Sequence, residues 1–319
     1  MTLTDLRYLV ALADYGHFGK AATACSVSQS TLSMAIRRLE KNLGITLFER
    51  ARSGITATAE CEEVLTHARQ ALAHAQAIIT LASHSDNPLA EPLTLGAPCT
   101  IAPYFYPLLL PHLRQLTGDP QVYLEEGDEQ TLITKLTDGC LDALMVTVPF
   151  QHPDVVTRTL FNEPLVVILP TRHPLAAQQW VDPASLSEEN LLLPDASTDI
   201  RERLLTACPI LGEQLANNTA RPLTRGSTLE TLRHMVACGL GVAVVPMSAV
   251  SPTIHAPGTV FRPFAAPGVH RTLGLAWRAS FPRHGAVDSL IDALQACNPA
   301  YWLNTDEAPS SVLVENQCW

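Results

Sequence analysis

Side chains that could read DNA cluster in a short basic segment near the N-terminus. Ser28 is predicted to cap a helix that ends at Gly44, and the small side chains at its start would let the backbone approach the bases. The Gln29 amide can bond adenine bidentately, and the Met34 side chain can contact a thymine methyl. The candidate DNA-binding residues are Gln29, Ser30, Thr31, Ser33, Met34, Arg37, Arg50 and Arg52, of which the arginines would neutralise phosphates and fix the register.

Three predicted helices and a short hairpin must position these side chains. The helices are predicted over residues 3–15, 18–24 and 28–43, with a tight turn at residues 25–27. Residues 47–58 are predicted to form a two-stranded wing. One face of the third helix would be buried by an apolar stripe, Leu32, Ile36, Leu39 and Leu43. The pattern is typical of a helix-turn-helix, and a small helical bundle with a solvated polar face is the alternative.

Charge is distributed unevenly along the 319 residues. Residues 1–59 hold seven basic and four acidic residues, a net charge of +3, whereas the whole chain carries −10 and the remainder therefore −13. A basic head on an acidic body assigns any contact with nucleic acid to the head. With 47% hydrophobic and 16% charged residues, the chain can bury a large core, which excludes global disorder.

The first segment, of about 60 residues, resembles the winged helix-turn-helix of the LysR-type transcriptional regulators. The matching strings are residues 17–22 (HFGKAA), 27–33 (VSQSTLS), 36–40 (IRRLE) and 47–50 (LFER). Three positions depart from the family pattern, since Ser30 replaces the usual proline, Ala57 the usual leucine and Cys61 the usual glycine. The resemblance implies binding to double-stranded promoter DNA as a homodimer or homotetramer that works with RNA polymerase.

A long helix is predicted to join the head to the body. Residues 59–83 contain neither Gly nor Pro, and apolar residues recur at steps of three and four. Such a helix would be about 37 Å long. Its apolar face needs a partner, most simply a second copy of the chain, and packing on its own body is the alternative. We assign residues 1–58 to the DNA-binding domain and residues 59–89 to a linker and dimerisation helix that ends in a hinge.

The body alternates predicted strands and helices, which predicts parallel sheets covered by helices. Two sets of strands with crossovers near residues 160–164 and 263–271 resemble the two-lobed, periplasmic-binding-protein-like α/β effector domain of LysR-type regulators. The resemblance implies a regulatory domain over residues 90–300, with lobe I at about 92–162 and 269–300, lobe II at about 163–268, and ligands between the lobes. Residues 301–319 are predicted to form a disordered tail.

Within this family the body is most similar to the peroxide-sensing, OxyR-like branch, through residues 100–104 (TIAPY), 232–237 (LRHMVA), 239–242 (GLGV) and 271–278 (RTLGLAWR). That branch carries a peroxidatic cysteine and a resolving cysteine nine residues later. Here Asp199 stands at the first position and Cys208 at the second, Arg201 is kept, and Glu129 replaces a threonine. A carboxylate cannot form the disulfide, so the standard switch is lost. Loss at several positions favours natural divergence, and a single engineered replacement is the alternative.

The candidate effector or sensor residues are Cys99, Thr100, Glu129, Thr198, Asp199, Arg201, Cys208 and Arg271. Asp199 and Arg201 are expected to form an ion pair or to bind a cationic or hydroxylated ligand. Cys208 is expected to be a buried apolar side chain, which leaves Cys99, beside Thr100 at the cleft, as the other candidate thiol. The input stays open between a small ligand near Thr100, an unconventional thiol and a fixed-state regulator.

Other classes of protein are disfavoured by what the sequence lacks. The eight cysteines include no CxxC pair, so we expect no metal site and no cofactor. Phosphate-loop, dinucleotide-binding, serine-hydrolase and zinc-protease motifs are missing, so we do not expect an enzyme. The sequence shows no signal-peptide pattern and no membrane span, which predicts a cytoplasmic protein. A small-molecule binding protein with a vestigial head is the alternative class, and salt-dependent DNA affinity would separate the two.

Overall fold

The computed structural model describes residues 1–51, 54–82, 89, 91–117, 121–195, 198–217, 227–250 and 258–297. Its N-terminal head consists of helices α1 (Leu3–Tyr15), α2 (Phe18–Ala24) and α3 (Gln29–Leu43), followed by strands β1 (Phe48–Ala51) and β2 (Gly54–Ala57). The two strands pair antiparallel and form the expected wing.

Local capping explains where the head helices begin and end. The Thr2 hydroxyl accepts a hydrogen bond from the Asp5 amide, while the Asp5 carboxylate accepts one from the Thr2 amide, so both ends of a capping box are present. Gly16 and Gly44 end α1 and α3 with positive φ angles of 59° and 73°, a conformation that glycine adopts without strain. Of the four residues in the predicted apolar stripe of α3, three are buried: Leu32, Ile36 and Leu39. The fourth, Leu43, is 38% exposed.

Helix α4 (Ala59–Ala82) is the predicted linker helix. Its first turns belong to the head, because Cys61, Leu65 and Ala68 are buried in the same core as the apolar side chains of α1, α2 and α3. The predicted hinge at residues 83–88, together with residue 90, lies outside the described residues, although Leu89 is buried.

The body is built on an eight-stranded sheet in the order β4-β3-β5-β10-β6-β8-β7, with β9 paired to β6. The strands are β3 (Leu93–Pro98), β4 (Val122–Gly127), β5 (Ala143–Val148), β6 (Val155–Pro170), β7 (Leu191–Leu192), β8 (Val242–Pro246), β9 (Thr259–Pro263) and β10 (His270–Arg278). The helices are α5 (Ala102–Thr117), α6 (Glu129–Thr137), α7 (Asp199–Ala207), α8 (Pro209–Ala216), α9 (Leu229–Ala237) and α10 (His284–Ala296), with 3₁₀ turns at Pro174–Ala177, Pro183–Glu188 and Met247–Ala249.

The expectation of parallel sheets is wrong at the centre of the body. Parallel pairs occur between β3 and β4, β3 and β5, and β7 and β8, but β10 runs antiparallel to β5 and β6, and β6 runs antiparallel to β8 and β9. The reason is the 16-residue strand β6, which pairs with β10 in its first half and with β8 and β9 in its second. The chain crosses between the lobes along β6 and returns along β10.

Separate hydrophobic cores lie on the two sides of this crossing. One core packs α5 and α10 on β3, β5 and β10, and the other packs α7, α8 and α9 on β6 and β8. The body is therefore a two-lobed α/β domain whose lobes are joined by the crossing strands β6 and β10. The predicted tail at residues 301–319 lies outside the described residues.

Candidate functional site

The start of α3 presents the predicted DNA-reading residues to solvent. Gln29, Ser30, Thr31 and Arg37 are exposed, and Met34 is 66% exposed, which is unusual for a large apolar side chain. Ser33 is half-buried. This exposed face is opposite to the buried stripe, as the helical period requires. The arrangement can place polar and apolar side chains against base edges in a groove of DNA.

Hydroxyl groups organise the first turn of α3. The Ser28 Oγ accepts a hydrogen bond from the Thr31 amide at 3.1 Å and lies 2.8 Å from both the Ser30 Oγ and the Thr31 Oγ1. Ser30, at the position where the family resemblance leads one to expect proline, therefore adds a hydroxyl to the capping network. The helix start remains capped without the proline ring.

Two carboxylates fix α3 relative to the rest of the head. Arg38 of α3 donates to the Asp5 Oδ1 at 2.6 Å, and Glu40 Oε1 accepts from the Leu47 and Phe48 amides at 3.0 and 3.4 Å. Burial opposes the charge of Asp5, but the hydrogen bonds from Arg38 and Thr2 outweigh it and lower the pKa of this carboxyl. Helix α3 is thus fixed to α1 on one side and to the start of the wing on the other, with its DNA-reading face left exposed.

The wing arginines are described only in part. Arg50 lies on β1, where its backbone pairs with Ile55, and its side chain is not among the described ones. Arg52 lies outside the described residues. Their predicted contacts with phosphates stay predictions.

In the body, a buried arginine gathers several predicted sensor residues. The Arg271 guanidinium donates from Nη2 to the Thr100 carbonyl at 2.9 Å and from Nη1 to the Thr100 hydroxyl at 3.3 Å. The same Nη1 lies 3.4 Å from the Asp199 Oδ2. The Arg271 side chain is wholly buried, while that of Asp199 is 12% exposed. Thr100, Asp199 and Arg271, three of the candidate sensor residues, therefore form one cluster.

Glu163 completes this cluster and was missed by the sequence analysis. The Arg271 Nε donates to Glu163 Oε2 at 2.7 Å, and the Ser248 amide donates to Glu163 Oε1 at 3.0 Å. Burial disfavours the charge on Arg271, but Glu163 and Asp199 outweigh it and raise the pKa of the guanidinium. A buried cation is thus balanced by two carboxylates, one on the crossing strand and one on α7. A glutamate just before the apolar run at residues 165–169 of β6 was the signal available in the sequence.

The predicted ion pair between Asp199 and Arg201 is wrong. Arg201 donates to the Pro194 carbonyl at 3.4 Å, and the ion pair of Asp199 is made with Arg271. The physical reason is helical geometry, because side chains two residues apart on α7 do not face each other. Asp199 is the first residue of α7, where its negative charge also suits the helix dipole. Thr198 precedes the helix, and its hydroxyl donates to the Asp195 carbonyl at 2.8 Å.

Glu129 and Cys99 lie near this cluster in an acidic environment. Burial raises the pKa of Glu129, and the carboxylates of Asp199 and Glu202 raise it further. Burial also raises the pKa of the half-buried Cys99 thiol, with Glu126, Asp128 and Asp195 adding to the effect. A thiol with a raised pKa holds little thiolate at neutral pH and reacts slowly with peroxide.

Cys208 lies in the core of lobe II. It is 1% exposed, packs among the apolar side chains of that lobe, and follows the last residue of α7. Since α7 is continuous from Asp199 to Ala207, positions 199 and 208 are separated by nine helical steps, about 13.5 Å. This position agrees with the expectation that Cys208 is a buried apolar residue.

Two further contacts between the lobes were not predicted. The Tyr104 hydroxyl of α5 donates to Glu230 of α9 at 2.6 Å, and burial and this contact raise the pKa of the phenol, which keeps the proton on it. Arg203 of α7 donates to the Val148 carbonyl of β5 at 2.9 Å. The residues involved are far apart in the sequence, and no local pattern marks them.

The described residues show no metal-binding group of three His, Cys, Asp or Glu side chains. Among the described helices, none combines the length and apolar content needed to span a bilayer.

Known protein families match both the N-terminal head and the two-lobed body of this chain. Residues 3–62 match the family described as "Bacterial regulatory helix-turn-helix protein, lysR family", and residues 86–298 match the "LysR substrate binding domain". The chain belongs to the LysR family. It is a LysR-type DNA-binding transcriptional regulator, with the winged head and two-lobed effector domain that the sequence indicated.

Among LysR-family relatives, OxyR proteins are similar over most of their length. The DNA-binding transcriptional dual regulator OxyR of Escherichia coli K12 is 33% identical over 296 residues, which cover 93% of this chain and 95% of the relative. The chain is thus OxyR-like, in agreement with the predicted branch.

Solved OxyR structures share the fold of this LysR-family chain. A full-length Pseudomonas aeruginosa OxyR that carries a cysteine-to-aspartate substitution is 43% identical, has a TM-score of 0.82, and is matched over 93% of this chain and 96% of its own. A peroxide-bound cysteine mutant of Corynebacterium glutamicum OxyR is 31% identical, has a TM-score of 0.62, and is matched over 93% of this chain and 92% of its own.

Proposed function

We propose that this regulator controls oxidative-stress genes without a peroxide-dependent disulfide switch, whether at positions 199 and 208 or in another cysteine pair. The observation that carries the proposal is the ion pair between Asp199 and the buried Arg271, at 3.4 Å. A carboxylate at position 199 cannot attack the O–O bond of peroxide or be captured by a second thiol. The link to oxidative stress rests on the OxyR relatives, several of which are described as hydrogen peroxide-inducible genes activators.

The position of Cys208 supports the same proposal. Its thiol lies in the core of lobe II, at the far end of α7 from Asp199. Bringing the two ends of α7 together would require the helix to unfold, together with the core that Ile200 and Leu204 of this helix help to form. In this protein the contact with Arg271 instead holds the start of α7 in place.

The proposed mechanism is a shift between two arrangements of the effector domain. Thr100, Asp199 and Arg271 join the lobes at one point, and Tyr104 and Glu230 join them at another. An input that favours one arrangement of these contacts would change the spacing of the DNA-binding heads in a homodimer or homotetramer. The remaining partners in this proposal are double-stranded promoter DNA and RNA polymerase.

The proposed setting is the cytoplasm, and the proposed role is regulatory rather than catalytic. The LysR family and the OxyR relatives are transcription regulators, which supports this assignment. No cofactor is part of the proposal. The effector is either a small molecule in the cleft beside Thr100 or absent in a fixed-state regulator.

Transcription in vitro tests the proposal. The template is a DNA fragment that the full-length protein recovers from the genome of its own organism, and it is transcribed with purified RNA polymerase, with and without hydrogen peroxide. We expect equal transcription in both conditions, and a changed transcript level for Asp199→Ala, because this variant removes one of the two carboxylates that balance Arg271. A peroxide-dependent transcript level in the wild type, or an unchanged level for Asp199→Ala, would contradict the proposal.

A further inference from the structure

One face of the linker helix α4 makes polar contacts with both domains of the chain. Thr66, Arg69 and Gln70 are spaced at i, i+3 and i+4, so their side chains emerge on the same side of the helix. This face is distinct from the DNA-reading face of α3 and from the cluster at Arg271. Its contacts are polar and directed, in contrast to the apolar packing of Leu65 and Ala68 in the head.

Towards the head, Arg69 pairs with the end of α1. The Arg69 Nη2 lies 2.6 Å from the Asp14 Oδ1, and the Arg69 side chain is 20% exposed while that of Asp14 is 50% exposed. Asp14 is the residue before Tyr15, where α1 ends. The arginine therefore connects the linker helix to the first helix of the DNA-binding head.

Towards the body, the neighbouring side chains of the same face contact the end of α6 in lobe I. The Thr66 Oγ1 donates to the Asp138 Oδ1 at 3.1 Å, and the Gln70 Nε2 donates to the Thr137 carbonyl at 3.4 Å. One turn further along α4, Ala73 and Gln76 face a cavity of about 450 Å³ that Gly139 and Phe281 also line. The contact of α4 with lobe I is thus closer at Thr66 and Gln70 than at the next turn.

Arg69 supplies the positive charge where helix α4 meets both the head and lobe I. Asp14 comes from the head and Asp138 from lobe I, so two carboxylates of different domains approach the same cation. Burial of Arg69 opposes its charge, but the Cys140 sulfur, Asp14 and Asp138 together raise the pKa of the guanidinium. Without Arg69, both the Asp14 and the Asp138 carboxylates would lose a nearby positive charge.

We infer that Arg69 is a positioning residue through which lobe I sets the orientation of the DNA-binding head of the same chain. The proposed function places the input at the Arg271 cluster, and this bridge from Asp138 through Thr66 and Arg69 to Asp14 gives a contact by which the effector domain reaches the head. This bridge requires neither a thiol nor a particular ligand. The inference can therefore fail while the proposed function holds, and the proposed function can fail while the inference holds.

Hydrogen exchange on the full-length protein without DNA tests this inference. The variant Asp138→Asn alters lobe I alone, and the readout is amide exchange at residues 13–17 of the head. We expect exchange there to accelerate by about threefold or more, because loss of the Asp138 charge beside Arg69 weakens the bridge that restrains the end of α1. Arg69→Ala should accelerate the same amides, and Arg69→Lys should have a smaller effect, since it keeps the positive charge but not the guanidinium geometry.

The matched control is Asp154→Asn, which alters an exposed aspartate of the same lobe with a positive φ that asparagine tolerates. It should leave residues 13–17 at the wild-type rate. Amides around Leu32 and Leu39 in the head core should exchange as in the wild type in every variant, which separates lost orientation from unfolding. If Asp138→Asn leaves exchange at residues 13–17 unchanged, or if Asp154→Asn accelerates it equally, the inference is overturned.

Discussion

The Asp199 carboxylate lies 3.4 Å from the guanidinium of Arg271, a side chain that is wholly buried and that also pairs with Glu163 at 2.7 Å. The first residue of α7 is thereby tied to the strand that returns to lobe I. In a low-dielectric interior, removal of the shared arginine is costly, because it would leave buried carboxylate charge uncompensated. The residue at position 199 therefore has a structural partner of its own, independent of any thiol.

The replacement Arg271→Met should strongly destabilise the effector domain. It leaves the Glu163 carboxylate, whose side chain is 1% exposed, without its cation, and we expect a loss of about 3–5 kcal/mol in the free energy of unfolding. The control Arg201→Met removes one long hydrogen bond to the Pro194 carbonyl and should cost less than about 1.5 kcal/mol. Urea unfolding of the full-length variants measures both, and equal losses would contradict the assigned role of Arg271.

The replacement Glu129→Gln should stabilise the protein at neutral pH. Burial, Asp199 and Glu202 raise the pKa of Glu129 in the folded state above its ordinary value of 4.5, so its charged form is disfavoured by folding. The advantage of the variant should be absent where the carboxyl is protonated in both states, and should grow as the pH rises above about 4.5.

Thermal melting across this pH range is the measurement for Glu129→Gln. Glu126→Gln, which alters an exposed glutamate on β4, is the matched control and should show no such pH-dependent gain. A Glu129→Gln variant that melts below the wild type at neutral pH would show that this carboxylate has a favourable partner.

The replacement Asp5→Asn should destabilise the head at neutral pH, and this cost should disappear at strongly acidic pH. Although burial opposes its charge, hydrogen bonds from Arg38 and Thr2 lower the pKa of Asp5 below the ordinary 3.8. Its stabilisation is therefore complete above about pH 3.8 and is lost as the pH falls through the lower folded-state pKa. We expect a cost of about 1 kcal/mol at neutral pH from the weakened capping box. Melting curves at neutral and acidic pH check this, with Glu49→Gln on the exposed side of β1 as the control.

Gln29 and Arg37 should contribute to DNA binding in different ways. Gln29→Ala should cost about 1–3 kcal/mol on the preferred sequence and relax the choice of base at one position. Arg37→Ala should weaken binding uniformly across sequences and reduce the salt slope by about one. Fluorescence anisotropy with a fragment selected from a random DNA pool distinguishes the two. Arg172→Ala, on the surface of lobe II, should change neither quantity, and equal behaviour of all three variants would refute the assigned reading face.

The head could be predicted from the sequence almost to the residue, because its signals are local. Ser28 and Gly44 mark the ends of α3 through hydrogen bonds and backbone angles within a few residues, and the structure places those ends as predicted.

The sensor cluster could be predicted only as a set of candidates. Thr100, Asp199 and Arg271 were selected together, but their contacts depend on the crossing of β6 and β10, which brings residues 72 to 171 positions apart within hydrogen-bonding distance. Proximity in the sequence instead suggested Arg201 as the ion-pair partner of Asp199, but the Arg201 side chain donates to the Pro194 carbonyl. Glu163 escaped prediction for the same reason, since a glutamate beside an apolar run of a strand shows no partner until the fold supplies one.

A count of free thiols with disulfide mapping, before and after stoichiometric hydrogen peroxide, tests the central claim most directly. The sequence contains eight cysteines, and the proposed function predicts eight free thiols in both samples. The variant Cys208→Ala should lower both counts by one and change nothing else. Loss of two thiols on peroxide treatment, with Cys208 or Cys99 in a defined disulfide, would contradict the claim and place redox sensing in a new cysteine pair.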